Sequence, residues 1–585
     1  MAAHPARRVL SVVPVRALVD LVDRTKHHFT PAATAAKRAA LADLAGRTIR
    51  DARVLLRLHE ALAFLRAYPD GPEILEATQG LLGTVGDRIR ALLASGRGRA
   101  LEETGLAGTT VRCPLSYPAA RWLARRFPDA AELDWDDADA VRGLDVLLPF
   151  LAGLAEEEVP VEASVPARAW LAAIKGTAGG SDLRWLLDRL DPGPGAAARR
   201  VLYDVRELGV RWDLGETPAS RTRAGIRVPR VFFHRGPLLR WRGPLRRRLG
   251  GPRAPVRQPA PREAMALLDA SRAAVLVRYR EVHAFNFADP RDLVVAEAGR
   301  GVAIVWFGVR APHRLPLRAH YGYLVLKNGV PVGYGDASLL FDWVEIAYNI
   351  FDTFRHGESA FIFARLLAFL HQTFGVREVH LNPYQVGHEN PEAIDSGAFW
   401  FYYKLGFRPK RRELRRLAVT ERRQVTDTPG YRSSPEALAR LAEGGMFVAL
   451  DARAGAASRD FDAGRLSRCA AAHAAHAGHR SRERGIAAYV ARRLGSDGWR
   501  RWPRPERIAF ERLAPVLAAI PDLERWSGAE RRALVGLARA KGGPREADYL
   551  RRMRADCRLR ASLLALGCAR YSSSSSSRRS SSRPK

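Results

Sequence analysis

Apolar positions in the first two hundred residues recur at helical spacing. Leu55, Leu56, Leu58, Ala61, Leu62, Phe64 and Leu65 fall on one stripe, the pattern of a helix buried along one face. Pro69-Asp70-Gly71-Pro72 stops it, because two prolines and a glycine cannot continue a helix. The spacing then predicts a helix over Glu73–Ala94, with Leu75, Leu81, Leu82, Val85, Ile89 and Leu92 inward, and further helices over 118–126, 137–155 and 182–190. Pro192-Gly193-Pro194-Gly195 breaks the pattern again, and no period is regular enough to define a repeat. Residues 1–210 therefore read as a helical domain, either plain packing or a docking surface for a protein partner.

Residues 211–262 change character. Val228, Val231, Phe232 and Phe233 predict a strand, and Arg246, Arg247, Arg248, Pro252, Pro255, Pro259 and Pro261 then mark a basic connecting segment expected to lie exposed. A helical pattern returns over 263–283, after which the period shifts to two. Leu293–Ala296 and Val302–Val309 flank Gly299-Arg300-Gly301 as a hairpin. Tyr321–Lys327 and Val330–Leu340 are joined by Asn328-Gly329, a pair that tolerates the positive φ angles of a tight type I′ turn. A third strand follows over Trp343–Ile350, then an apolar helix from about Gly357 to Phe374 closed by Gly375, a strand over Val376–Asn382, and a short aromatic helix over Ser396–Leu405. Residues 455–570 read as arginine-rich helices, and the serine–arginine tail from 571 to 585 has too little apolar surface to order itself.

At 585 residues the chain exceeds one core, and a hydrophobic fraction of 47% fits a globular protein. The net charge of +33 would suit a nucleic-acid partner. However, lysine is rare, and arginine, alanine and glycine are abundant together with no single basic stripe, so non-specific nucleic-acid binding is the weaker expectation. Cys113, Cys469, Cys557 and Cys568 form no CxxC pair, which argues against a disulfide scaffold and for a reducing, cytoplasmic setting. Charges interrupt every apolar run, so no membrane span is expected.

The order hairpin, strand, apolar helix, strand and short helix resembles the GNAT superfamily of N-acetyltransferases over about Asp292–Arg415. Phe401-Tyr402-Tyr403-Lys404-Leu405-Gly406-Phe407 is similar to that family's closing Tyr-x-Lys-x-Gly-Phe signature, and the junction Asn349–Ala360 stands where the family carries Arg/Gln-x-x-Gly-x-Gly/Ala. The resemblance implies an α+β fold: a mixed-sheet acyltransferase domain over 263–450, flanked by the N-terminal helical domain, the 211–262 connection and a helical region over 451–570. It also implies acetyl-CoA or another acyl-CoA as cofactor and an amine as acceptor. Ile350, Phe351, Arg355, His356, Gly357, Glu358, Ser359 and Ala360 would hold the cofactor, since helix-start amides and a close glycine backbone suit a pyrophosphate.

Two catalytic positions carry over. Tyr402 matches the tyrosine that protonates the departing thiolate, and Glu345 stands on the strand that supplies the general base. Burial beside Trp343 and Tyr348 would raise the carboxyl of Glu345 toward neutrality. Each has a plainer reading: Tyr402 as a core aromatic, Glu345 as the partner of an arginine, and Glu358 as a dipole-stabilising residue of a first helical turn. A GNAT-like fold serving as a cofactor-free binding module is the rival expectation, and an arginine-rich nucleic-acid-associated protein a third. Cys469, His473, His476 and His479 lie at helical spacing without a second ligand pair, and no metal site is expected.

Overall fold

The computed structural model describes residues 13–152, 164–191, 195–241, 245, 249–451, 457–476 and 482–568. Four helices, Val15–Thr25, Pro31–Ala45, Ala52–Ala67 and Pro72–Ala94, form a bundle with its own core. The Asp51 side chain caps the third by accepting from the amides of Arg53 and Val54.

The next unit departs from the all-helical expectation for 1–210. Strands β1 (Thr110–Pro114), β2 (Ala131–Leu133) and β3 (Gly209–Asp213) make an antiparallel sheet with β3 central. Short helices cover it around buried Trp212, Leu123 and Leu186. The expected helix over 137–155 is instead three single turns, Ala138–Val141, Leu144–Leu147 and Pro149–Ala152.

The segment expected as a strand at 228–233 is extended but joins no ladder. Ile226 donates to the Gly329 carbonyl, Phe232 to the Asn328 side chain, and His234 to the Pro69 carbonyl. It thus straps the bundle to the tip of a hairpin. Nor is the connection loose, because Leu238, Leu245, Leu249 and Ala254 are buried. The triple arginine 246–248 lies outside the described residues, as does the serine–arginine tail.

Beyond it stands the main sheet. Its strands are β4 (Val256–Arg257), β5 (Ala288–Gly299), β6 (Val302–Val309), β7 (Ala319–Lys327), β8 (Val330–Leu340), β9 (Trp343–Ile346), β10 (Asn349–Ile350), β11 (Glu378–Leu381), β12 (Arg408–Pro409) and β13 (Met446–Ala449), in the order β12-β13-β11-β9-β8-β7-β6-β5-β4 with β10 also against β8. Asn328 and Gly329 both take positive φ, 50° and 78°, as the tight turn between β7 and β8 requires. Among the described residues all pairs are antiparallel except β9 with β11. That parallel pair demands a crossover, supplied by the helix Ser359–Phe374. The helix buries Phe363, Leu366, Leu367, Phe369 and Leu370 and ends on Gly375 at a left-handed φ of 64°. Trp306 of β6 meets Phe369 and Phe374 at 5.5 Å.

The helices after Ala463 share one continuous core with the sheet. Among the described residues no helix is long and apolar enough to cross a membrane. No three His, Cys, Asp or Glu side chains converge there as metal ligands; His479 falls outside the described residues.

Candidate functional site

The main sheet opens at one place. β9 and β11 pair from Trp343 opposite Glu378 to Glu345 opposite His380. One residue later β9 ends, and Ala347 and Tyr348 leave the ladder before β10 resumes on β8. The break is held by specific bonds. Ala347 N–H donates to the Asp336 carbonyl at 2.9 Å, and the Tyr323 hydroxyl donates to the Ala347 carbonyl. Tyr348 N–H reaches the Gln385 side-chain oxygen at 3.3 Å, and the Tyr402 hydroxyl lies 3.4 Å from the Tyr348 carbonyl. Gly335 is required opposite, since a β-carbon there would collide with the Ala347 carbonyl oxygen and the Tyr323 hydroxyl. With its ladder interrupted, the β9–β10 line separates from the chain after β11, and a cleft of about 750 Å³ lies between them.

The cleft brings together Tyr334 and Asp336 of β8, the 347–352 segment, Ser359 at the start of the crossover helix, Tyr384 and Gln385 after β11, and Tyr402. The segment Val277–His283 also lines it, with Glu103, Thr104 and Arg221 from the N-terminal half. Arg355 and Arg280 both reach Glu392, at 2.7 and 2.6 Å, and so bridge the mouth.

Five carboxylates line the cleft, Glu103, Glu281, Asp336, Asp352 and Glu392, and Asp336 is the one carried by β8. Its side chain is 34% exposed. Burial, then the negative charge of Glu345, pushes its carboxyl up to about 6, although Arg318 pulls the other way. The neighbouring His320 ring lies 3.7 Å away, and burial followed by the charges of His283, Arg318 and Lys541 lowers it to about 3, so it is neutral. Tyr402 is almost fully buried, and desolvation pushes its phenol well above the ordinary range. It therefore keeps its proton at neutral pH, as a proton donor must.

The expected residues divide. Ile350, Phe351, Arg355, Ser359 and Tyr402 line the cleft. Glu345 does not: its side chain is 43% exposed and 3.7 Å from Arg318, so the burial expected beside Trp343 and Tyr348 is missing. Its electrostatic effect reaches the cleft through Asp336. His356 turns to His27, ring to ring at 6.0 Å, and Ala360 packs on the core. Gly357 backs onto Tyr68, whose hydroxyl would lie 2.6 Å from an added β-carbon. Glu358 is fully buried, 3.1 Å from the Lys327 ammonium and 2.7 Å from Arg300, and it accepts from Leu239 N–H. Burial alone would raise its carboxyl, but Lys327 and then Arg300 hold it below the ordinary value. Its side chain joins the crossover helix to the hairpin rather than facing the cleft.

Sequence reasoning missed Asp336 and Arg278. Asp336 alternates with Tyr334 and Ser338 and reads as an ordinary polar strand position; only the break at Ala347 opens space over it. Comparison with protein-family models, with curated proteins and with solved structures finds no match for this chain.

Proposed function

We propose that this cleft transfers an acyl group from acyl-CoA to an amine. The observation that carries the reading is the parallel pair β9–β11 separating at a broken strand, beside the start of its own crossover helix and with Tyr402 in the opening. This is the arrangement the GNAT resemblance implies. The helix begins at Ser359, which lines the cleft, and its amide dipoles favour an anion there. Arg355 lines the same end, shared there between Asp352 and Glu392 at 2.7 Å each, and would serve a phosphate by exchanging those partners. The residues present thus suit a phosphate-bearing donor, which would supply the activated acyl carbonyl.

The chain's own groups then divide the proton work. Asp336 is ionised above about pH 6 and takes the proton that the amine loses on attack. Tyr402 delivers a proton to the departing sulfur. The Tyr348 carbonyl, freed from the ladder, lies 3.4 Å from the Tyr402 hydroxyl and holds it in the opening until its proton is redirected to the sulfur. Glu345, first expected as the base, acts here as a positioning charge that keeps Asp336 basic enough to accept.

A second reading has one specific observation behind it. Glu358 and Gly357 pack against Lys327, Arg300 and Tyr68, which spends part of the phosphate-binding junction on joining domains, as a cofactor-free module would. Calorimetry with acetyl-CoA separates the two: saturable binding that weakens in Arg355→Ala supports transfer, and absence of binding leaves the module.

A further inference from the structure

One guanidinium in the cleft lacks a counter-charge. Arg278 follows the helix Pro261–Leu276 and donates to the Ala274 carbonyl at 2.7 Å. Its guanidinium carbon lies 3.8 Å from the centre of the Phe351 ring. It makes no ion pair among the described residues. The nearest carboxylates are committed elsewhere, Glu60 to Arg221 at 2.6 Å and Asp352 to Arg355 at 2.7 Å. Desolvation, then the like charge of Arg221, brings Arg278 down to about 9.

More deeply buried cations are treated differently. Lys37 pairs with Asp70, Lys327 with Glu358, and Lys541 with Glu546. Arg66, with no carboxylate, donates to three backbone carbonyls, those of Thr222, Arg221 and Ala224. Arg278 has one such bond, and it lines the cleft. Arg278 is half-buried and carries no counter-charge among the described residues, so a carboxylate or phosphate entering the cleft could take its remaining donors.

The wall continues from it in a readable order. Phe351, under Arg278, stacks on Tyr334 at 5.5 Å between ring centres. Tyr334 and Asp336 alternate along β8 and share a face, about 7 Å apart. The sequence along one wall is therefore cation, ring, ring, carboxylate. We propose that the acceptor is an amine that also carries an acidic group, a carboxylate or a phosphate, at its far end. The amine sits at Asp336, the acidic group on the Arg278 guanidinium, and an apolar spacer lies on Tyr334 and Phe351. The assignment rests on the acyl-transfer reading for the role of the amine, but the two-ended recognition can be measured without it.

The test is calorimetry on the full chain without acyl-CoA. The probes are γ-aminobutyrate through ω-aminocaprylate, the matched primary amides, and the matched aminoalkyl phosphates. The best-fitting acid should bind about tenfold or more tightly than its amide, the loss expected when a charged hydrogen-bond partner is removed. That ratio should fall toward one in Arg278→Gln and be partly kept in Arg278→Lys; the carboxylate and phosphate arms decide which acid fits. A ratio near one across the series in the parent, which needs no variant, overturns the proposal. So does a ratio that survives Arg278→Gln, or a variant that loses acetyl-CoA affinity while keeping the ratio, which would give the guanidinium to the CoA phosphates. Failure of acetyl-CoA to bind the parent, with the acid-to-amide ratio intact, would instead remove acyl transfer and leave a two-ended binding site.

Discussion

Two clusters of charge contrast, one packed against the main sheet and one in its cleft. Where the C-terminal helices dock, Lys541 pairs with Glu546, Glu546 accepts from His320 N–H, and Asp292 accepts from Glu546 N–H at 2.9 Å. Arg314, 2% exposed, donates to the carbonyls of Val309, Lys541, Gly543 and Pro544. In the cleft, by contrast, Arg278 has one backbone bond and no ion pair among the described residues. Charges that hold the fold together find partners, and those left short of partners gather where a ligand would complete them.

The contrast breaks most plainly on stability. Lys541→Met strands Glu546 and should cost about 3–5 kcal/mol in urea unfolding, the usual penalty for breaking a buried pair from one side. Arg278→Gln should change stability by less than about 1 kcal/mol or raise it, since a cleft group strained for function often costs stability. Equal losses in the two variants would make Arg278 structural.

Activity should respond in the opposite sense. Tyr402→Phe removes only a hydroxyl and should lower turnover about 100-fold or more while acyl-CoA affinity stays within about twofold. Equal turnover in parent and variant removes Tyr402 from the chemistry.

A smaller effect separates the two carboxylates. The transfer rate should rise with pH through about 6 as Asp336 ionises. Glu345→Gln removes a nearby negative charge, so the Asp336 carboxyl becomes more acidic and the acid limb should move to lower pH with the plateau retained. Asp336→Asn should remove the plateau itself. If Glu345→Gln abolishes transfer at all pH values, Glu345 is the base after all.

The smallest expected change is in stability against pH. An unfolded aspartate titrates near 4, and Asp336 in the fold near 6. Between these values the folded state binds more protons, so stability falls as pH rises from about 4 to about 6. Asp292, also pushed up to about 6 and by burial first, acts over the same window. Asp336→Asn should therefore flatten part of that fall and leave the part due to Asp292. An unchanged slope would mean the Asp336 carboxyl titrates normally.

Much of the sheet was readable because it is local. Asn328-Gly329, the hairpin around Gly299–Gly301 and the apolar run closed by Gly375 each fix their element within a few residues. The parallel pair fits the mixed sheet that was expected, since a strand, an apolar crossover helix and a second strand leave few arrangements. The β1–β3–β2 sheet was not readable, because β3 pairs with strands far back in the chain and the helices between them hide it. The 228–233 segment misled because its β-branched and aromatic residues serve packing rather than a ladder.

The site was only half legible. Tyr402 stood out in an aromatic motif, whereas Arg278 is indistinguishable in a chain this rich in arginine. One signal was available and unused: lysine is rare, and Lys37, Lys327 and Lys541 are all essentially buried. A lysine inside a largely apolar strand, as Lys327 is at the end of β7, would have pointed to a buried carboxylate partner such as Glu358.

The most direct measurement of the central claim is amide hydrogen exchange with and without acetyl-CoA, on protein whose affinity has been measured by calorimetry. The account predicts saturable binding, with protection concentrated over Ala347–Arg355 and the first turn from Ser359, where the broken strand meets the crossover helix. Absence of binding, or protection that leaves those residues untouched, would contradict it.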